Sequence, residues 1–200
     1  MNKIIKILDV THVKRIFFFV SIVLGFLILF SCNKDDDDEE ELSHPDIDRL
    51  DILPTDISKR TPETDQHPPI LHSLDFENPV PIGSGVNTSG AEDSPFILPD
   101  GNTLYFFFTP DVRVQVDKQI LDDVTGVWVS KKVSGIWQHS ERVWLQEPGK
   151  LALDGAVAIQ NNEMWFASAR EGYVDVNMFT AEKINGEWNN WQYCGDRLMK

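Results

Sequence analysis

The chain has 200 residues, 42% hydrophobic and 25% charged, with 12 Gly and 11 Pro, an ordinary composition for one or two globular domains. Wholesale disorder, a collagen-like repeat and a disulfide scaffold are excluded. Net charge is −14; Lys3, Lys6, Lys14 and Arg15 against Asp9 put residues 1–32 at +3, so the chain from Asn33 onward carries −17 and repels nucleic acid and anionic lipid head groups. The two cysteines, Cys32 and Cys194, provide neither a disulfide framework nor a cysteine zinc site.

The chain opens with those cations, then an uncharged run from Ile16 to Phe30, then Ser31 and Cys32. This is the layout of an export signal over residues 1–31. As a helix the run would cover about 22 Å, short of the ~30 Å hydrocarbon core of a bilayer. The tetrapeptide Leu29-Phe30-Ser31-Cys32 resembles the lipobox of bacterial lipoproteins. The resemblance implies that Cys32 becomes the acylated first residue of the mature protein, with fatty acyl groups such as palmitate holding it in the membrane. Several acyl chains, each contributing ~0.8 kcal/mol per buried methylene, make such an anchor stable.

Residues Asn33 to Glu41 read NKDDDDEEE, a solvated and self-repelling run. Lys34-Asp35-Asp36 resembles the signal that sends Bacteroidetes-type lipoproteins to the outer face of the outer membrane, which implies cell-surface exposure; a periplasm-facing orientation is the alternative. Residues 33–70 hold no Phe, Trp or Tyr and have prolines at 45, 54, 62, 68 and 69. Residues 32–70 are therefore expected to be a lipidated cysteine followed by a disordered tether, with a root-mean-square reach of roughly 35 Å.

From residue 71 onward the composition changes, and all six tryptophans lie there. Residues 71–200 contain an internal repeat. The first copy is EDSPFILPDGNTLYFFF, Glu92 to Phe108, followed by GVWVSKKVSGIW, Gly126 to Trp137. The second is LDGAVAIQNNEMWFASAREGYVD, Leu153 to Asp175, followed by NMFTAEKINGEW, Asn177 to Trp188. Asp93 aligns with Asp154 and Phe106 with Phe166, one residue having been lost in the intervening turn; Trp128, Gly135 and Trp137 align with Phe179, Gly186 and Trp188. The repeats span about 92–137 and 153–188.

Each copy reads as four short strands. In the first, Ser94–Leu98 precedes a Pro-Asp-Gly turn, Thr103–Phe108 is an apolar run of the kind buried on both faces, and Gly126–Lys132 is the third strand. Ser134-Gly135 and Asn185-Gly186 supply hairpin turns, with Trp137 and Trp188 opening the fourth strands. The expected fold is all-β: a partial β-propeller of about two four-stranded antiparallel blades.

These residues resemble the TolB-type, WD40-like propeller repeat. Asp93, Pro99, Asp100, Gly101, Leu104, Tyr105 and Phe106 match it in the first copy, and Asp154, Gly155, Trp165, Phe166, Ser168, Arg170, Gly172 and Asp175 in the second. The second copy departs from it at Gln160-Asn161-Asn162, where Pro-Asp-Gly is usual. A propeller closes with 4 to 8 blades. Two blades therefore imply an N-terminal fragment of a longer protein or a ring completed by copies of the chain, and the oligomeric state stays open.

No nucleophile elbow, zinc-protease helix or phosphate loop occurs, so neither a catalytic residue nor a metal or cofactor is expected. Asp93 and Asp154 recur at matching places, which points to a repeated structural task such as capping a turn; substrate contact is the alternative. Arg170 with Asp175 would form a small clamp for an anion, or each would satisfy turn groups in its own blade. Trp137 and Trp188 read as packing between blades, whereas Trp144 and Trp191 lie outside the strongest matches and are candidates for exposed ligand platforms. The expected function is a lipid-anchored cell-envelope module that binds a protein or glycan partner; a piece of a carbohydrate-active hydrolase is the alternative.

Overall fold

The computed structural model describes residues 42–195. The expected export signal, Cys32 and the acidic run to Glu41 lie outside the described residues, as do residues 196–200.

Among the described residues, nine strands form two antiparallel sheets. The first contains β1 (Ala91–Ile97), β2 (Thr103–Thr109), β3 (Gly126–Val133), β4 (Ile136–Trp137) and β5 (Glu141–Arg142). The second contains β6 (Ala152–Gln160), β7 (Glu163–Arg170), β8 (Asn177–Ile184) and β9 (Glu187–Tyr193), in that order. In the first sheet, β4 pairs with Lys132 and Val133 and β5 with Trp128 and Val129. They are two pieces of one fourth strand, interrupted around Gln138, whose carbonyl accepts from Ser130 Oγ at 2.6 Å. Both sheets are thus four-stranded meanders, and the chain folds as a partial β-propeller of two blades.

The hairpin turns form as their residues require. Ser134 and Gly135 have φ of 51° and 82°, and Asn185 and Gly186 have 54° and 96°, the two successive positive values of a tight hairpin. Across each turn the repeat-related pairs Lys132–Trp137 and Lys183–Trp188 face one another, with the ammonium 4.8 Å and 5.4 Å from the indole centre. The loop between the second and third strands absorbs the length difference: residues 110–125, with the one-turn helix α1 (Val116–Gln119), in the first sheet, against 171–176 in the second.

The pairing register corrects the repeat alignment along the first strands. Phe106 faces Trp128 as Phe166 faces Phe179, as aligned. Opposite β2, however, Glu92 faces Phe108, while Asp154 faces Ser168, the counterpart of Phe108. Glu92, not Asp93, is therefore the counterpart of Asp154. Both strands bulge just beyond this point, at Ser94 (φ 47°) and Ala156 (φ 50°). Two residues, not one, are lost in the following turn: Leu98 hydrogen-bonds Thr103 across residues 99–102, whereas Gln160 pairs with Glu163 across 161–162.

Two apolar clusters flank the first sheet. On one face Tyr105 and Val127 join Val157, Met164, Phe166, Phe179, Ala181 and Trp188 of the second sheet, and β6 crosses β1, β2 and β3. On the other face Leu104, Phe106, Phe108 and Trp128 are covered by Val86, Ile82, Ile47 and Leu53. The run in β2 is therefore buried on both faces, as its composition predicts.

The second cluster overturns part of the expected tether. A single 3-10 turn, Arg49–Ile52, is capped by the Asp48 carboxylate, which accepts from the Leu50 amide, and it brings Arg49 to full burial. Asp56 is held farther along by both terminal nitrogens of Arg113, at 2.8 and 3.0 Å. The segment from Ile47 to Asp56 is thus part of the fold. Low aromatic content hid this, because the segment contributes isolated side chains to a core whose aromatic residues belong to the sheet.

Candidate binding cavity

A cavity of about 470 Å³ opens at one end of the second sheet. Its wall comes from the loop before β6 (Gln146, Glu147, Lys150, Leu151), the end of β7 and its turn (Arg170, Glu171, Gly172, Tyr173), Phe179 of β8 and Trp191 of β9. Gly149 (φ 76°) and Gly172 (φ 87°) turn the two loops, and the Glu171 amide donates to the Leu151 carbonyl at 3.0 Å, joining them.

Arg170 is the organising residue. Its Nη2 donates to Asp154 Oδ1 at 2.8 Å and to the Leu145 carbonyl at 3.0 Å, and Nε donates to Ser168 Oγ at 2.9 Å. The guanidinium lies 4.4 Å from the Phe179 ring centre and 5.3 Å from that of Phe166. Asp154 is fully buried, and its Oδ2 has no hydrogen-bond partner. A buried charge is tolerated when paired; Asp154 is spent on holding Arg170 and not, as the capping expectation had it, on backbone amides.

Tyr173 packs edge-on against Phe179 at 4.9 Å and beside Tyr193 at 5.1 Å. Lys150 and Glu171 form an exposed ion pair of 3.4 Å. The cavity thus combines aromatic walls with an amide, two carboxylates and two cations, the mixture that stacks on and hydrogen-bonds a polyhydroxylated ring. Its lining has no serine, cysteine or histidine.

Of the residues singled out in the sequence, Arg170 and Trp191 meet in this cavity, with Asp154 behind Arg170. Asp175 does not complete a clamp with Arg170: it occupies an exposed turn at φ 59°, where its carbonyl accepts from Asn177 Nδ2. Asp93 is exposed on β1. Trp144 belongs to a different cavity of about 550 Å³ between the 45–51 segment and residues 139–144. There its ring is stacked by His44 at 4.4 Å and approached by the Arg142 guanidinium at 4.8 Å. Arg142 donates to the carbonyls of Asp123, Thr125, Val127 and Val143; burial pulls its pKa down to about 10, which leaves it charged near neutrality. Cys32 lies outside the described residues.

Sequence reasoning missed Tyr173, Gln146 and Lys150. Tyr173 directly follows Gly172 of the repeat pattern, which was the available signal for the first, whereas nothing local marks the other two, which reach the site through a loop. Among the described residues no three His, Cys, Asp or Glu side chains are grouped to hold a metal ion. Comparison with known proteins finds no matching family model, curated protein or solved structure.

Proposed function

We propose that this chain is a lipid-anchored cell-envelope β-propeller module that binds a glycan, without catalysis, in the Arg170–Trp191 cavity. The observation that carries the reading is the cavity itself: a guanidinium fixed by a buried carboxylate, flanked by Tyr173 and Trp191 and by exposed hydrogen-bonding groups. Ligand sites combine aromatic walls with a few precisely placed polar groups, and Arg170 loses little further freedom on binding because three acceptors already hold it. The lipobox-like Leu29-Phe30-Ser31-Cys32, the acidic Lys34-Asp35-Asp36 and the TolB-type repeat pattern support an anchored envelope protein, displayed on the outer membrane surface.

An array of neutral and acidic oligosaccharides, followed by tryptophan fluorescence titration, tests the binding reading. At least one class binds, and Trp191→Ala weakens it tenfold or more while the far-UV spectrum is unchanged. Retention of a protein partner with no oligosaccharide bound overturns the glycan assignment. The anchor is tested by the intact mass of the natural protein from its membrane fraction: a chain beginning at Cys32 with added acyl mass is expected, and an unmodified Cys32 overturns it.

Glu147 and Glu171 line the same cavity and favour one second reading, a piece of a carbohydrate-active hydrolase. Both are solvent-exposed, whereas a carboxylic proton donor is normally enclosed by apolar groups. Glycoside release lost in Glu171→Gln would establish that reading.

A further inference from the structure

The pairing register exposes an exchange of parts between the two blades. In the second blade, Asp154 of β6, Phe166 of β7 and Phe179 of β8 surround the guanidinium of Arg170, the last residue of β7. Their counterparts in the first blade are Glu92, Phe106 and Trp128. Continuing along β2, the counterpart of Arg170 is Pro110, which has no charge to offer. A guanidinium nevertheless occupies the same setting. Arg49 Nη1 lies 3.2 Å from Glu92 Oε1, and its Cζ lies 5.1 Å from the Phe106 ring centre and 5.8 Å from that of Trp128. As Arg170 does with Leu145, Arg49 also donates to the segment entering its sheet, at Val86 O (2.6 Å) and Gly85 O (3.0 Å).

We propose that the segment Ile47–Leu53 is a built-in cap that stands where a preceding blade would pack, and that its Arg49 supplies the first blade with the arginine that the repeat lacks at Pro110. Three observations converge on this. The face covered by the cap carries Leu104, Phe106 and Trp128, the counterparts of Met164, Phe166 and Phe179, with which the second sheet receives the first. Burying the Phe106 and Trp128 face requires the Glu92 charge beside it to be neutralised, and Arg49 is the cation that does so. The partner arrives from 43 residues away, so the match is tertiary and not a by-product of a local turn. With the cap seated, this face is closed to a second copy of the chain, and head-to-tail addition there is blocked.

The test uses the full chain with Arg49→Ala, alone and combined with Pro110→Arg, which places an arginine in the blade itself. Denaturant midpoints and amide hydrogen exchange are measured for both. Arg49→Ala lowers the midpoint and speeds exchange across residues 47–53 by tenfold or more. The double variant recovers the midpoint while residues 47–53 stay fast-exchanging, because the blade now holds its own guanidinium. An unchanged midpoint in Arg49→Ala overturns the proposal. So does a double variant no more stable than the single one. Where Arg49→Ala does not fold, folding of the double variant supports the proposal, and failure of both overturns it.

Discussion

Asp154 is fully buried with Arg170 fixed 2.8 Å away, and that guanidinium lies over two aromatic rings. Removing one partner of such a pair strands the other, at a cost of about 3–5 kcal/mol. Asp154→Ala is therefore expected to lose that much in urea denaturation, while Asp93→Ala, one residue off the equivalent register and in solvent, stays within about 0.5 kcal/mol. Equal losses would show that the register equating Glu92 with Asp154 is wrong. His44, stacked on Trp144, has its pKa lowered below 6.5, chiefly by burial. The unfolded chain then holds the His44 proton more tightly than the folded one, so this contribution to stability is complete above pH 6.5 and is lost as pH falls through 6.5 towards the folded value. Stability measured from about pH 7.5 down to about pH 5 should fall more in the parent chain than in His44→Gln; parallel curves would contradict this.

The elements are joined by turns and by one close approach between sheets, and each fails in a different way. At Gly186 (φ 96°) an added Cβ meets no atom within 4 Å, so Gly186→Ala carries only the backbone penalty, roughly 1–2 kcal/mol. At Gly155 an added Cβ would lie 2.8 Å from Phe107 of the first sheet, so Gly155→Ala overpacks the inter-sheet contact at about 1–3 kcal/mol. Shortening the opposing side chain with Phe107→Leu should recover part of the Gly155→Ala loss and none of the Gly186→Ala loss. Thermal melts of the three single and two double variants check this. The hairpins were legible because Ser-Gly and Asn-Gly need nothing beyond their own backbone preferences. The bulges at Ser94 and Ala156 were not, since neither residue type signals positive φ, and the register was misread because Asp93 and Asp154 match in residue type while the following turn loses two residues and not one.

Across the molecule, Tyr105 and Val127 of the first sheet share a core with Phe166, Phe179 and Trp188 of the second, and Trp188 Nε1 approaches Tyr105 Oη at 3.3 Å. Neither sheet buries its apolar face alone. The two are expected to unfold in a single transition, with far-UV circular dichroism and tryptophan fluorescence coinciding; separated transitions would mean that each blade is independently stable. The opposite face of the second sheet, with Trp165, Ala167 and Met178, meets no third sheet among the described residues.

The features legible from residues alone are local and periodic: the two repeats, the strands with their hairpin glycines, and the correspondence of Phe106 with Phe166 and of Trp128 with Phe179. Alternation and turn chemistry act over a few residues, so they are readable without the fold. The tertiary structure decided which side chains complete a buried charge. Asp154 takes Arg170 from the neighbouring strand, whereas Glu92 takes Arg49 from a stretch that reads as polar linker. A buried carboxylate requires a counter-charge but places no condition on where in the chain it comes from. The same holds for the cavity, whose Gln146, Arg170 and Trp191 are joined only when β6 to β9 fold beside the preceding loop.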